Sequence, residues 1–251
     1  MFVSGHIASR AKIKLDCLVL LVNRTRSMTT TPSAGASEES EEQSRSAQKR
    51  RAILDAATEI FLQKGYLATN MDEIAARAAV SKQTVYKNFP SKETLFIEIV
   101  SSVTTRAGNR VYNQMPEIAA GEDISEYLQR YAYRQLTEVL TRRVMQLRRL
   151  VIGEVGRFPE LARALFDGGP KRAVATLALL FERLADRGLL AIDDPAVAAS
   201  QFNWLIMAEP LNRAMLLGDE AIPKPAELRR HAAAGVRMFL ASYGKARRPK
   251  R

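Results

Sequence analysis

The sequence predicts an all-α fold, and three observations lead to this prediction. Alanine and leucine are abundant, runs that alternate apolar and polar residues are missing, and apolar residues recur at the spacing of amphipathic helices. The chain has 251 residues, of which 47% are hydrophobic, and this is enough to bury a substantial core in one or two domains. Helix start and stop signals then divide the chain into its elements.

The first 45 residues are predicted to form a disordered leader, residues 1–45. An apolar run at 15–22 is interrupted by Asp16 and is too short to span a bilayer. No small-residue cleavage site follows it, which argues against a signal peptide. A Ser-, Thr- and Glu-rich stretch begins at Met28. We therefore interpret residues 1–27 as an over-extended reading frame that is not translated. A short amphipathic surface anchor is the alternative.

Four helices with clear punctuation are predicted in residues 46–100. The first carries one apolar stripe, formed by Ile53, Ala56, Ala57, Ile60 and Phe61. Gly65 ends this helix, since glycine readily adopts the left-handed conformation found just past a helix end. The next three helices begin at the capping residues Asn70, Ser81 and Ser91. Two short helices joined by a tight turn and laid against a longer one make a helix-turn-helix.

The third of these helices carries side chains that could contact DNA. Val85 and Phe89 lie one turn apart and face the core. The outward positions are Lys82, Gln83, Thr84, Tyr86 and Lys87. A cation, an amide and a hydroxyl can bond to base edges in a major groove, whereas a tyrosine and a lysine further along can reach phosphates. The alternative is an ordinary polar face on a solvated helix.

The stretch GYLATNMDEIAARAAVSKQTVYKNFPSKETLF resembles the N-terminal DNA-binding signature of the TetR/AcrR family of bacterial transcriptional repressors. The resemblance implies a helix-turn-helix DNA-binding domain at residues 46–100. It also implies that Lys82, Gln83 and Thr84 face bases, and that phosphates are held by Thr69, Tyr86, Lys87 and Lys92. One departure is Ala79, where the family usually has glycine. A left-handed backbone there would cost alanine about 1 kcal/mol.

The rest of the chain, residues 101–244, is predicted to be a helical ligand-binding and dimerisation domain, followed by a basic tail at 245–251. Helices are expected at 124–139, at 144–155 and from Phe158 to the Gly168-Gly169-Pro170 stop. A long helix is expected to follow that stop and to end at Gly188, and two more are expected at 195–217 and 226–243. The stretch LRRLVIGEVGRFPELARALFDGGP resembles the C-terminal domain of the AefR-like branch of the same family.

The last two predicted helices are expected to form a homodimer. The helix at 195–217 is apolar on nearly every side and therefore needs cover all round. The resemblance implies that this pair packs against its twin, and the predicted interface residues are Phe202, Leu205, Val236, Phe239 and Leu240. Burial inside a monomer is the alternative. Large apolar side chains are the candidate walls of a pocket for a small hydrophobic ligand: Met145, Phe181, Trp204 and Met207. Core packing is the alternative for these four.

Composition narrows the function classes. The net charge of +11 suits nucleic acid. One cysteine and two histidines exclude an internal disulfide and a cysteine-rich zinc site, so no cofactor is expected and the usage fits a reducing cytoplasm. Glycine-rich phosphate loops and nucleophile elbows are missing, which argues against an all-α enzyme. A sequence-independent nucleic-acid binder is the other alternative, although acidic residues are interspersed through residues 50–100.

These observations predict a cytoplasmic, sequence-specific transcriptional regulator with no membrane partner. It would be a repressor that binds a palindromic double-stranded DNA operator as a homodimer and that a ligand releases. A ligand can change DNA affinity only through its different affinities for the two conformations of the protein.

Overall fold

The computed structural model describes residues 34–113 and 116–245. The expectation for residues 1–27 lies outside them, as does most of the basic tail. The chain divides after Glu42, and every site below lies in the second unit, Gln43–Arg251. The described residues form helices and no strands. Their one β-type contact is an isolated bridge between Leu190 and Gly244. The all-α prediction is confirmed.

Ten α-helices occur in the described ranges. They are α1 (Ala34–Ala68), α2 (Met71–Arg77), α3 (Lys82–Asn88), α4 (Lys92–Tyr112), α5 (Ile124–Val139), α6 (Arg142–Glu154), α7 (Pro159–Phe166), α8 (Arg172–Asp186), α9 (Pro195–Leu217) and α10 (Pro225–Tyr243). We use "head" for α2, α3 and the adjoining ends of α1 and α4, and "body" for α5–α10.

Helix α1 begins earlier than the sequence predicts. Residues 34–45, predicted to be disordered, are helical and continuous with the rest of α1. Half of its twelve residues are glutamate or alanine, which are good helix formers. Because extending an existing helix costs far less than nucleating one, such a segment follows the helix that it joins. At its other end, Gly65 has φ 81° and ψ 171° and interrupts the helical geometry as predicted.

The predicted capping residues begin the head helices. Asn70 Oδ1 accepts a hydrogen bond from the backbone N–H of Glu73 (2.8 Å), and Ser81 Oγ and Ser91 Oγ accept from the third residues of α3 and α4. The capping box at α2 is only half formed, because the Glu73 carboxylate pairs with Lys64 (2.7 Å). These caps satisfy N–H groups that a helix start otherwise leaves without partners.

The turn between α2 and α3 is a Schellman motif with alanine at its left-handed position. Ala79 has φ 52° and is the one non-glycine residue with positive φ in the described ranges. The N–H of Val80 donates to Ala75 O (3.1 Å), and the N–H of Ala79 donates to Ala76 O (3.2 Å). These are the two bonds of the motif, which glycine usually closes at the position that alanine holds here.

Helix α7 ends at Phe166, just before the predicted Gly168-Gly169-Pro170 stop, but the chain does not leave helical structure there. Asp167–Lys171 forms a π-helical turn that joins α7 to α8. A Cβ on Gly168 would lie 2.7 Å from Thr104 Oγ1, so the missing side chain lets this turn lie directly on α4. Pro170 has no N–H and therefore cannot make an α-helical hydrogen bond. The π-helical turn changes the local bonding pattern at this point.

Helix α9 lies at the centre of the body and packs against α5, α6, α8 and α10. Pro210, inside α9, has no N–H to donate to Ile206 O. His231 Nε2, on α10, lies 2.8 Å from that oxygen. Because a carbonyl can only accept, Nε2 carries the proton, and His231 replaces the donor that the proline removed.

Candidate nucleic-acid interface and ligand cavity

Helix α3 presents its polar face to solvent and its apolar face to the core. Val85 and Phe89 are buried. Lys82, Gln83 and Lys87 are exposed, and Tyr86 is 43% exposed. The Thr84 side chain is half-buried and its hydroxyl lies 2.8 Å from Ser81 Oγ. Four of the five predicted α3 contact residues are therefore exposed to solvent, and the Thr84 hydroxyl lies against the capping Ser81.

Lys82 is engaged within the protein. Its Nζ lies 2.8 Å from Asp72 Oδ1 and 3.0 Å from Oδ2. The hydrogen bond to Asp72, together with the charge of that carboxylate, raises the pKa of Lys82. Both side chains are mostly exposed, so the pair is held weakly and a phosphate or base edge can compete for the ammonium.

Lys92 and Thr69 build the turn between α1 and α2. The Lys92 ammonium donates to Tyr66 O (2.9 Å), Thr69 O (2.9 Å) and Leu67 O (3.3 Å). Burial lowers the pKa of Lys92, and Glu154 partly offsets this. The Thr69 side chain is buried and its hydroxyl donates to Gly65 O (2.8 Å). The polar hydrogens of both side chains are thus occupied, and a phosphate would have to displace a carbonyl to reach either.

The end of α1 connects the head to the body through aromatic packing. The Tyr66 ring packs edge-on against Phe158, between α6 and α7, with ring centroids 4.6 Å apart. It also contacts Phe61 and Phe96, while Lys92 Nζ lies 4.7 Å from its centroid. Burial, reinforced by nearby glutamates, raises the pKa of Tyr66 to about 12. Through this aromatic cluster the head packs against the body.

A small cavity lies in the body beneath the π-helical turn. Its volume is about 60 Å³, and its walls come from α4, α5, α6, α9 and the turn. Trp204 and Met207 line it, as the sequence predicts for a pocket. Met145 and Phe181, the other two candidates, are fully buried core residues and line neither cavity described here.

A second cavity lies on the other side of Tyr112. Its volume is about 350 Å³ and it is lined mainly by the ends of α4, α5 and α8, so it falls in the range of small-molecule sites. Tyr131 lines it, and the Tyr131 hydroxyl is buried beside that of Tyr112. Burial raises the pKa of Tyr131 well above its ordinary value. Tyr112 is the residue that both cavities share.

The predicted dimer residues divide into two groups. Phe202, Val236 and Phe239 are buried inside the protomer, where Phe202 and Phe239 pack edge to face with centroids 4.9 Å apart. Leu205 and Leu240 are half-buried. The exposed apolar residues of α9 and α10 are instead Val197, Trp204, Leu216, Leu217 and Met238.

Comparison with known proteins decides the family. The model of bacterial regulatory proteins of the tetR family matches residues 53–99, and that of the AefR-like transcriptional repressor C-terminal domain matches residues 126–245. The HTH-type transcriptional repressor Rv3405c of Mycobacterium tuberculosis is 30% identical over 174 residues, 67% of this chain and 80% of that protein. The chain belongs to the TetR family.

Solved structures agree with this membership of the TetR family. A TetR-family transcriptional regulator from Mesorhizobium loti MAFF303099 has 40% identity and a TM-score of 0.75, covering 80% of this chain and 98% of that one. The flavonoid-responsive regulator FrrA has 31% identity and a TM-score of 0.67, covering 80% and 100%. Some curated relatives match over less of their length: the transcriptional activator FasR of Mycolicibacterium smegmatis is 45% identical over 53 residues, 24% of that protein.

This TetR-family protein is therefore a DNA-binding transcriptional regulator and not an enzyme, and both predictions are confirmed. Within residues 34–113 and 116–245 no helix is long and apolar enough to cross a membrane. The same ranges contain no cluster of three or more potential metal ligands.

Sequence reasoning missed one residue that positions the recognition helix. The Arg50 guanidinium lies 4.9 Å from the Phe89 ring centroid, and its Nη atoms lie 3.3 Å from Glu98 Oε1. It thus braces the end of α3 against α1 and α4. No local signal links Arg50 to Glu98, which lies 48 residues away.

Proposed function

We propose that this TetR-family regulator is a cytoplasmic repressor that binds a palindromic operator as a homodimer and is released by a small molecule. The observation that carries the proposal is the course of α4. Its N-cap, Ser91, follows directly on the end of α3. Its C-terminal half lines the smaller cavity, its last residue Tyr112 also lines the larger one, and its 21 residues span about 30 Å. One helix thus connects the recognition unit to the place where a ligand would bind.

A ligand in the cavity would act on DNA affinity by favouring one position of α4. The coupling between two such sites is commonly worth about 1–3 kcal/mol, a change in affinity of roughly 5- to 150-fold. The contact between Tyr66 and Phe158 is a second connection between the body and the head, in addition to α4. We therefore expect the head to move as a rigid unit when α4 is displaced.

DNA reading is proposed to divide between Gln83 and Lys87, which are both exposed on α3. Gln83 is assigned to a base edge, and Lys87 to a phosphate. Gln83→Ala should then cost about 1–3 kcal/mol on the operator and relax discrimination at one base pair. Lys87→Ala should weaken all DNA alike and flatten the log–log salt dependence by about one unit per protomer.

Sequencing the DNA that the purified protein retains would supply the operator for this test. Both variants and the wild type are then titrated in salt against the operator and a scrambled duplex. A Gln83→Ala protein that loses affinity equally for every duplex would refute the assignment of Gln83 to base reading. Equal binding of operator and scrambled DNA by the wild type would favour a sequence-independent binder.

The dimer surface is proposed to be the exposed face of α9 and α10. Val197 and Trp204 lie seven residues apart on one face of α9 and are each 46% exposed, and Met238 on α10 is 64% exposed. Met238→Glu should shift light scattering from dimer to monomer, because a charge would be buried without a partner. Ile152→Glu, at a 53% exposed position on α6, is the matched control. A Met238→Glu protein that stays dimeric would move the interface elsewhere.

A further inference from the structure

The cavity beneath the π-helical turn is lined by a half-buried cation. Arg148 of α6 lines it, and its Nε is buried with no hydrogen-bond partner in the described part of the chain. Burial also lowers the pKa of Arg148. Its neighbours on α6 each pair with a carboxylate: Arg142 with Glu220, Arg143 with Asp55 and Arg149 with Asp219. Among the described residues, no carboxylate pairs with Arg148.

Leaving the buried Nε–H of a guanidinium without an acceptor is costly, since buried polar groups are normally hydrogen-bonded. A perturbed charged group that faces a cavity is therefore a candidate binding residue. The residues that line this cavity include no aspartate or glutamate, and Arg148 is their only charged member. A second guanidinium, that of Arg172, lies at the same edge, where its Nη1 is 3.7 Å from the position of a Cβ on Gly108. The site is thus electropositive, and no acidic side chain lines it.

The other walls of the cavity are mostly apolar. Five of them are aliphatic or thioether side chains from four helices: Val111, Val139, Val144, Met207 and Leu211. Such a lining favours a ligand with a hydrocarbon body, while the few polar side chains that line the cavity fix its orientation: Arg148, Thr104, Gln135 and Asn203.

The cavity needs to widen to hold more than the head of such a ligand. Its 60 Å³ correspond to about two waters at roughly 30 Å³ each. Two features allow widening. Gly168 and Gly169 in the π-helical turn place no side chain over the cavity. Tyr112 is the wall between it and the 350 Å³ cavity, so a rotation of that ring would join the two.

We propose that this cavity binds an organic monoanion, a carboxylate on an apolar body. The carboxylate pairs with the Arg148 guanidinium, and the body lies against α4 and α9 toward Tyr112. The inference rests on the proposed function, since it gives a chemical class to the small molecule that would release the operator. Its geometric basis is separate, because it depends on Arg148 and the cavity and on nothing in the head.

The test compares carboxylates with carboxamides of the same shape. Octanoate and 2-naphthoate are titrated by calorimetry into the full-length protein without DNA, alongside octanamide and 2-naphthamide. We expect at least one carboxylate to bind about tenfold or more tightly than its amide, because an ion-paired hydrogen bond is roughly twice as strong as a neutral one. Arg148→Met should abolish this preference, and Arg148→Lys should keep part of it.

Arg163→Met is the matched control, since Arg163 is exposed on α7 and lines neither cavity. It should bind the carboxylates as the wild type does. Circular dichroism checks that Arg148→Met is folded, and removing a half-buried charge that no carboxylate pairs with is not expected to destabilise it. Equal affinity for carboxylate and amide, no binding of either carboxylate, or an unchanged preference in Arg148→Met would each overturn the inference.

Operator release is measured separately with the same probes. Arg148-dependent carboxylate binding that leaves operator affinity unchanged would uphold the ligand class and refute ligand release. Conversely, release by the neutral amides that persists in Arg148→Met would uphold ligand release and refute the ligand class.

Discussion

Replacing Ala79 by glycine is expected to stabilise this protein. Ala79 has φ 52° and an exposed side chain, so the change removes strain and almost no packing. A left-handed backbone costs a non-glycine residue about 1–2 kcal/mol. Glycine's greater freedom in the unfolded chain takes back about 0.4–1 kcal/mol. The net gain is roughly 0.5–1 kcal/mol, or about 1–4 °C in melting temperature for a chain of this size.

The measurement is thermal and urea unfolding followed by circular dichroism, at one fixed protein concentration because oligomer stability depends on it. Ala76→Gly is the matched control, since Ala76 is also exposed but has an ordinary helical backbone within α2. That variant should lose about 0.5–1 kcal/mol. The same substitution three residues apart should thus act with opposite signs. If Ala79→Gly destabilises the protein as Ala76→Gly does, the strain inferred at Ala79 is not there.

Three further changes test contacts described above. Lys92→Met should lower the free energy of unfolding by about 1 kcal/mol, because the carbonyls at the end of α1 lose their donor and only water can replace it. Lys87→Met is the control and should leave the melting temperature unchanged. Equal losses in the two variants would contradict the role assigned to Lys92. His231→Phe should cost about 1–3 kcal/mol by leaving Ile206 O without a donor. The cost should shrink in a Pro210→Ala background, whose restored N–H can bond that oxygen; an unchanged cost would refute the account. Burial raises the pKa of Asp219, but hydrogen bonds from Arg149 and Gln146 outweigh it and the pKa is lowered. The stability that the ionised Asp219 contributes should be fully present above about pH 4 and lost as the pH falls through the lowered pKa. The free energy of unfolding of Asp219→Asn should therefore depend less on pH in the acid range than that of the wild type.

Local signals explain why the head could be predicted from the sequence. Asn70, Ser81 and Ser91 each accept from the N–H three residues further on, so their function is contained in a short stretch of chain. The helix bounds at Pro195–Leu217 follow from similar signals: a proline in the first turn and a glycine just past the end. The departure at Ala79 was visible only through the resemblance to the TetR/AcrR signature, which usually has glycine there.

Contacts between distant residues explain what the sequence could not provide. Lys92 looks like a surface cation in sequence, yet its acceptors lie 23 to 26 residues earlier. Phe202 and Phe239 lie on apolar faces that suit a dimer interface and a protomer core equally well, and only packing decides between them. The unpaired state of Arg148 is likewise invisible, because a row of arginines on α6 does not say which of them finds a carboxylate.

The pairing of Lys82 with Asp72 has a consequence for how the protein searches a genome. Away from an operator, Lys82 is paired with Asp72, so a phosphate that binds the ammonium must first displace a carboxylate and gains less than it would from an unpaired lysine. Non-operator DNA then holds the protein less firmly and for shorter dwell times, and competing sites vastly outnumber operators. Only a duplex that offers a good acceptor to the ammonium in the correct register repays the separation of the two charges. We expect Asp72→Asn to lengthen residence on random DNA more than on the operator, which would leave the protein delayed among wrong sites.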